Sequence, residues 1–319
     1  MRGPALALAG IVLFSLLDAN SKGLSGQYSV GQVIFLRYAV LVPLFLLARM
    51  AQPGFGGPLP TSRPGLHAIR VAAMMVSAAS FFLGFRHLPL AEGYLVFFTA
   101  PFLTMAFAAL LLKEAVPRAA WVWCLAGFGG VLLSVAPKLG GGAPLAGYAA
   151  VLVGTLAFAV TQTVNRRLRG EPGLVGVILW PGLVGLLVFG PLAWRDWVPA
   201  PPLDLARLGL NGLLAGGAVV LTAAAYRHAD AARLGPYGFA ALPVSVALDL
   251  AFWGRWPDAA TIAGGVVVVF ACVMSERARR PAPIGTAAAP LRAAASPGPP
   301  EHKEPRPRVG PKAGRPSET

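Results

Sequence analysis

Four charged residues fall inside long apolar runs of this 319-residue chain: Asp18, Arg37, Glu92 and Asp249. On insertion scales a charge in hydrocarbon costs about 2.5–3.5 kcal/mol, so each must pair, protonate, snorkel to an interface or meet a solute. Asp18 comes late in one run and Arg37 early in the next. If those runs are consecutive antiparallel helices, the two charges reach the same membrane face. An ion pair there would offset both desolvation costs. Asp249 shows no partner in the sequence and reads either as a protonating group or as an interfacial one. Glu92 and Glu114 stand near the ends of runs and read as interfacial.

The run around 91–112 also carries Tyr94, Phe97, Phe98, Thr99, Phe102 and Thr104. Aromatic rings beside hydroxyls suit a planar or amphipathic small molecule; a stripe facing lipid is the alternative. Pro101 interrupts this run and Pro243 a later one, with Pro43 and Pro181 in two others. A proline leaves the carbonyl one turn back without its donor and bends the helix, which suits a cavity wall or a hinge. Cys124 and Cys272 form no C-x-x-C pair, and the four histidines have no metal-ligand spacing. No phosphate loop, H-E-x-x-H or G-x-S-x-G is present. Neither catalysis nor a cofactor or metal is therefore expected.

These residues need elements to hold them. The chain is 56% hydrophobic and 13% charged, against about 25% charged in ordinary soluble domains. Apolar runs near 20 residues recur along most of its length. Spanning a bilayer takes about 20 apolar residues as a helix, with every backbone group paired inside the segment. A β-barrel would show short alternating strands, whereas 145–164 and 258–275 are apolar all round. Ten spans are predicted: 4–22, 32–50, 68–87, 91–112, 118–136, 145–164, 173–193, 207–227, 233–253 and 258–275. The first contains Asp18 and Asn20 and has no convincing cleavage site, so it reads as a retained span. Tryptophans at span ends read as an interfacial belt.

The net charge of +14 does not point to nucleic acid, because nine of the 27 basic residues lie after Ser275 and most others sit at span ends. Basic residues gather where cytoplasmic loops would be if both termini are cytoplasmic. The segment 277–319, rich in Pro, Ala and Arg, reads as a disordered basic tail. Gly212-x-x-x-Gly216 and Ala126-x-x-x-Gly130 permit close helix contact, within a monomer or in a homodimer.

The chain also repeats itself. Phe85-Arg86-His87 closes the third span and Tyr226-Arg227-His228 the eighth, 141 residues later. After each comes a span with a central proline (Pro101, Pro243), a polar break with proline, then a span containing glycines. A first repeat over 1–138 and a second over 139–276 are predicted. Five spans is an odd number, so the second copy enters the membrane inverted. Inverted copies are characteristic of secondary transporters, which enclose a site near the midplane.

With this plan, the stretch Phe14 to Lys22, Arg37, and Leu88-Pro89-Leu90-Ala91-Glu92 followed by Pro101 and Glu114, the chain resembles the drug/metabolite transporter superfamily, EamA type, over about 1–275. The resemblance implies an inner (plasma) membrane carrier of small organic solutes. Arg255 stands where the family's second half usually has an acidic residue. The expected fold is all-α: ten transmembrane helices in two inverted five-helix repeats. The expected function is secondary transport of an amino-acid-like or amphipathic cofactor-like solute, with protons or another gradient ion as partner. A membrane enzyme acting on lipids or isoprenoids and a non-transporting scaffold are the alternatives. Candidate cavity residues are Asp18, Arg37, Tyr94, Phe98, Thr99, Pro101, Pro243 and Asp249.

Overall fold

The computed structural model describes residues 2–279 except 114, 140–143, 169–170, 172 and 229–233. Glu114 and the tail from 280 onward lie outside the described residues. All regular structure among the described residues is helical. The helices are α1 (Arg2–Leu24), α2 (Val30–Ala51), α3 (Pro64–His87), α4 (Leu90–Phe97), α5 (Ala100–Leu111), α6 (Arg118–Leu139), α7 (Leu145–Arg167), α8 (Trp180–Arg195), α9 (Pro202–His228), α10 (Ala241–Trp253) and α11 (Ala259–Arg279). A π-helical turn, Val175–Leu179, leads into α8, and a 3-10 turn, Gly235–Ala240, leads into α10. Among the described residues, nine stretches are long and apolar enough to cross a membrane, Leu90–Leu111 being one, and Tyr237–Trp253 is a shorter tenth. The last helix runs to Arg279, three residues into the segment expected to be tail.

Local chemistry explains the helix ends. Ser29 caps α2 by accepting from the Gln32 N–H at 3.2 Å. Pro64 opens α3, where its missing N–H costs nothing. Gly254 ends α10 in a left-handed conformation (φ +62°). There the Gly254 N–H reaches the Leu250 carbonyl and the Arg255 N–H the Asp249 carbonyl, at 3.0 and 3.2 Å, which closes the helix with an αL cap.

Two of the four prolines begin a helical turn after a break, and a third follows a π-helical turn. Pro101 stands in the first turn of α5, Pro181 in that of α8 and Pro243 in that of α10. The spans expected to be interrupted at Pro101 and Pro243 are therefore broken, at Phe98-Thr99 and at the 3-10 turn. Pro43 differs from expectation: α2 runs through it as one helix.

The packing is two-fold in plan. The broadest helix contacts are α6 with α11, α3 with α7, α1 with α9 and α2 with α8. Exchanging the first five spans for the last five turns α3–α7 into α9–α1 and leaves α6–α11 and α2–α8 unchanged. The halves are thus interlocked inverted repeats. Where α6 crosses α11, a methyl on Gly264 would sit 2.5 Å from the Gly130 carbonyl oxygen. A methyl on Gly212 would sit 2.6 Å from the Arg37 carbonyl oxygen of α2. The two small-residue pairs noted in the sequence thus each contribute to packing within the chain.

Candidate functional site

The break between α4 and α5 is the centre of the site. Pro101 offers no N–H to the Phe97 carbonyl. The Phe102 N–H turns instead to the Thr99 carbonyl at 3.0 Å, and the Cys272 thiol donates to the Phe98 carbonyl at 3.5 Å. The Thr99 hydroxyl, fully buried, donates to the Val96 carbonyl at 2.8 Å. Thr99 therefore secures the broken backbone and has its hydroxyl engaged there.

Just before the break, the Tyr94 hydroxyl donates to the Asp18 carboxylate at 2.7 Å and lies 3.3 Å from the Ser15 hydroxyl. Rings from four spans extend from it as an aromatic cluster. Phe85 stacks on Tyr94 at 5.8 Å between centroids, and Phe97 meets it edge-on at 6.1 Å. Phe97 also meets Phe158 of α7 at 5.0 Å, and Phe98 meets Phe239 of the 3-10 turn at 5.6 Å. A carboxylate hydrogen-bonded to a member of an aromatic cluster is suited to a cation that also carries apolar surface.

The expected Asp18–Arg37 ion pair is absent among the described residues. Arg37 lies half-buried over the ring of its neighbour Tyr38, 4.7 Å from the centroid, and donates to the Tyr38 hydroxyl at 3.2 Å. Its Nε is buried without a partner. Tyr94 supplies the contact that Arg37 was expected to make. Sequence order brought α1 and α2 to one face, but the rotation of each helix about its own axis decides contact, and the apolar runs do not encode it.

Asp249 does have a partner. Lys22 of α1 bridges to it at 3.2 Å, and the two side chains are 8% and 2% exposed. The second carboxylate oxygen accepts the Ala91 N–H at 2.9 Å, while Lys22 donates to the Leu88 carbonyl at 2.8 Å and lies 4.6 Å over the Trp253 ring. Lys22 had read as a marker of topology. The signal was its position one turn beyond Asp18, on the same helix face. Glu92, expected at an interface, bonds to Lys138 at 2.6 Å and accepts from the Tyr148 hydroxyl. Lys138 also bridges to Asp258 at 2.9 Å. A cleft of about 180 Å³ lies beside these groups, lined by Pro89, Glu92, Asp249, Arg255, Trp256 and Asp258 among others.

At the opposite membrane face, Glu171 joins the loop after α7 to the start of α3. It accepts from the hydroxyls of Thr61 and Ser62, from the Ser62 N–H at 3.1 Å, and meets His67 Nε2 at 3.0 Å. Hydrogen bonds from Ser62, Thr61 and His67 push its pKa down to about 2.

Residues 145–276 match the EamA-like transporter family. Over 286 residues the chain is 29% identical to the Pseudopaline exporter CntI of Pseudomonas aeruginosa, covering 87% of this chain and 97% of that protein. It is 23% identical to the S-adenosylmethionine uptake transporter of Rickettsia prowazekii, over 84% of this chain and 90% of that one. The corresponding values for the Riboflavin transporter of Rhizobium johnstonii are 26%, 87% and 93%. A solved protein crystal structure superposes with a TM-score of 0.62 at 19% identity, over 86% of this chain and 96% of its own.

Proposed function

We propose that this chain, a multi-pass membrane protein of the drug/metabolite transporter superfamily and a transporter of small metabolites, works by secondary alternating access at the Asp18–Tyr94 site. The observation that carries this reading is a partly buried carboxylate inside the bundle, held by a tyrosine that packs among aromatic side chains beside a broken span. Asp18 takes the cationic pole of the solute, and Phe97, Phe98 and Phe85 take its apolar or planar part. Arg37, with its Nε unpaired, takes an anionic pole. The broken spans at Pro101 and Pro243 act as the hinges of the cycle. Protons or another gradient ion drive the cycle. Of the solutes named for the relatives, S-adenosylmethionine matches both parts of this chemistry, joining a cationic centre to a carboxylate and a planar ring, while riboflavin matches only the aromatic part. Both termini are taken as cytoplasmic in an inner membrane, with Lys22 and Asp249 at the outer face.

The test is uptake and counterflow in proteoliposomes with amino acids, S-adenosylmethionine and riboflavin, with and without a pH gradient. Saturable flux that falls at least about tenfold in Asp18→Asn supports the reading. Undiminished flux in that variant removes Asp18 from the site, and no flux of any of these solutes in the parent protein removes this substrate class.

A further inference from the structure

We propose that Lys22 and Arg167 are matched latches, each closing one membrane face by holding the fourth span of the opposite repeat. Lys22 stands at the end of α1, the first helix of its repeat, and grips Asp249 near the end of the ninth span. Arg167 stands at the end of α7, the first helix of the other repeat, and donates to the Leu111 carbonyl at the end of the fourth span, at 2.7 Å. Lys22 and Arg167 are 145 positions apart and Leu111 and Asp249 are 138 apart, on either side of the 141 that separates the two aromatic-Arg-His triplets. Each latch therefore lies within about one helical turn of its symmetry mate. The packing agrees, since α1 runs against α10 and its 3-10 turn as α7 runs against α5. The two contacts necessarily lie at opposite faces, because the repeats are inverted.

The latches are unequal. Lys22–Asp249 joins two full charges, nearly enclosed, with the carboxylate also served by Ala91 and the ammonium by Leu88 and Trp253. Arg167–Leu111 is an exposed contact of one charge with a neutral carbonyl. The Lys22 face is thus the harder to open, and the site communicates more readily with the Arg167 face. In a carrier that rocks between faces, opening at Lys22 is the slow limb. This consequence rests on the alternating-access reading; the existence of the latches does not.

The experiment reads access to the site from each side. In the full chain with Cys124→Ala and Cys272→Ser, Ser15→Cys places a single thiol beside Tyr94. A membrane-impermeant maleimide is applied to spheroplasts and to inside-out vesicles. Lys22→Met is expected to speed labelling from the Lys22 face about tenfold or more, the factor that about 1.4 kcal/mol of lost closure produces. Arg167→Gln is expected to speed labelling from the other face by a smaller factor. Should Lys22→Met fail to accumulate, Asp249→Asn, which removes the bridge's negative charge but keeps an acceptor for the Ala91 N–H, is expected to speed labelling from the same face. Labelling of Lys22→Met, or of Asp249→Asn in its place, that is unchanged, or faster only from the Arg167 face, overturns the proposal. Solute flux measured on the same preparations separates this outcome from failure of the transport reading.

Discussion

At the scale of single residues, the buried charges differ in the partners they have found. Asp18 has a neutral donor, Tyr94, as its nearest polar contact. Tyr94→Phe is expected to raise the KM of the transported solute about tenfold, equivalent to about 1.4 kcal/mol for one hydrogen bond to a charged group. The unfolding midpoint should move by only a few degrees; a large fall with KM unchanged would make the tyrosine structural. Glu171 makes a different kind of prediction. Its carboxyl is depressed to about 2 by Ser62, Thr61 and His67, against about 4.3 in an unfolded chain. A depressed carboxyl contributes stability above the unfolded value and loses it as pH falls through the folded one. The tie between the 52–63 loop and Glu171 should therefore hold unchanged from pH 8 to about pH 5 and loosen only toward pH 2. Hydrogen exchange of the Ser62 amide measures this, and loosening near pH 6 would contradict it. From sequence, the cost of an intramembrane charge singled out Asp18, Arg37 and Asp249. It could not choose partners, because Lys22 sat among the basic residues that mark topology, and four residues of spacing from Asp18 is a weak sign by itself.

At the scale of elements, breaks and crossings carry the design. The sequence predicted interruptions at both Pro101 and Pro243, and both spans break there. It predicted the same at Pro43, where α2 continues unbroken. Proline removes one donor in every case, and whether the helix ends depends on what neighbouring spans offer the freed groups. At the first break that offer is the Cys272 thiol on the Phe98 carbonyl, supplied by a helix about 170 residues away and invisible to any local reading. Pro101→Ala is expected to extend α4 into α5, raising thermal stability slightly while slowing flux severalfold; flux at the parent rate would show that the break is no hinge. The α6–α11 crossing is less forgiving. A methyl on Gly264 meets the backbone of Gly130, which cannot rotate away. Gly264→Ala should cost about 1–3 kcal/mol as overpacking, read as a lower unfolding midpoint in detergent. Gly129→Ala, with open space around its position, serves as the neutral control.

For the whole molecule, the ten spans and the duplication were legible because each span must be about 20 apolar residues and each copy kept its triplet and its proline. Packing between copies was not, since an all-apolar helix shows no preferred face. Trp256→Cys at the Lys22 face should label from outside intact cells and Ser62→Cys only after permeabilisation; the reverse pattern would invert the assignment. Deleting 282–319 should leave flux nearly unchanged, because that composition has little apolar surface to repay ordering. The interlocking has one more consequence, for the order of synthesis. The broad face of α3 is completed by α7 and that of α1 by α9. At about 5–20 residues per second, α3 waits roughly 4–16 s for its partner and α1 roughly 10–40 s. During that time the first repeat stands in the bilayer with its inner faces against lipid or insertion machinery. Neither half is a finished object when made alone. Two separately made halves, cut between α6 and α7, have every contact they need only once they meet.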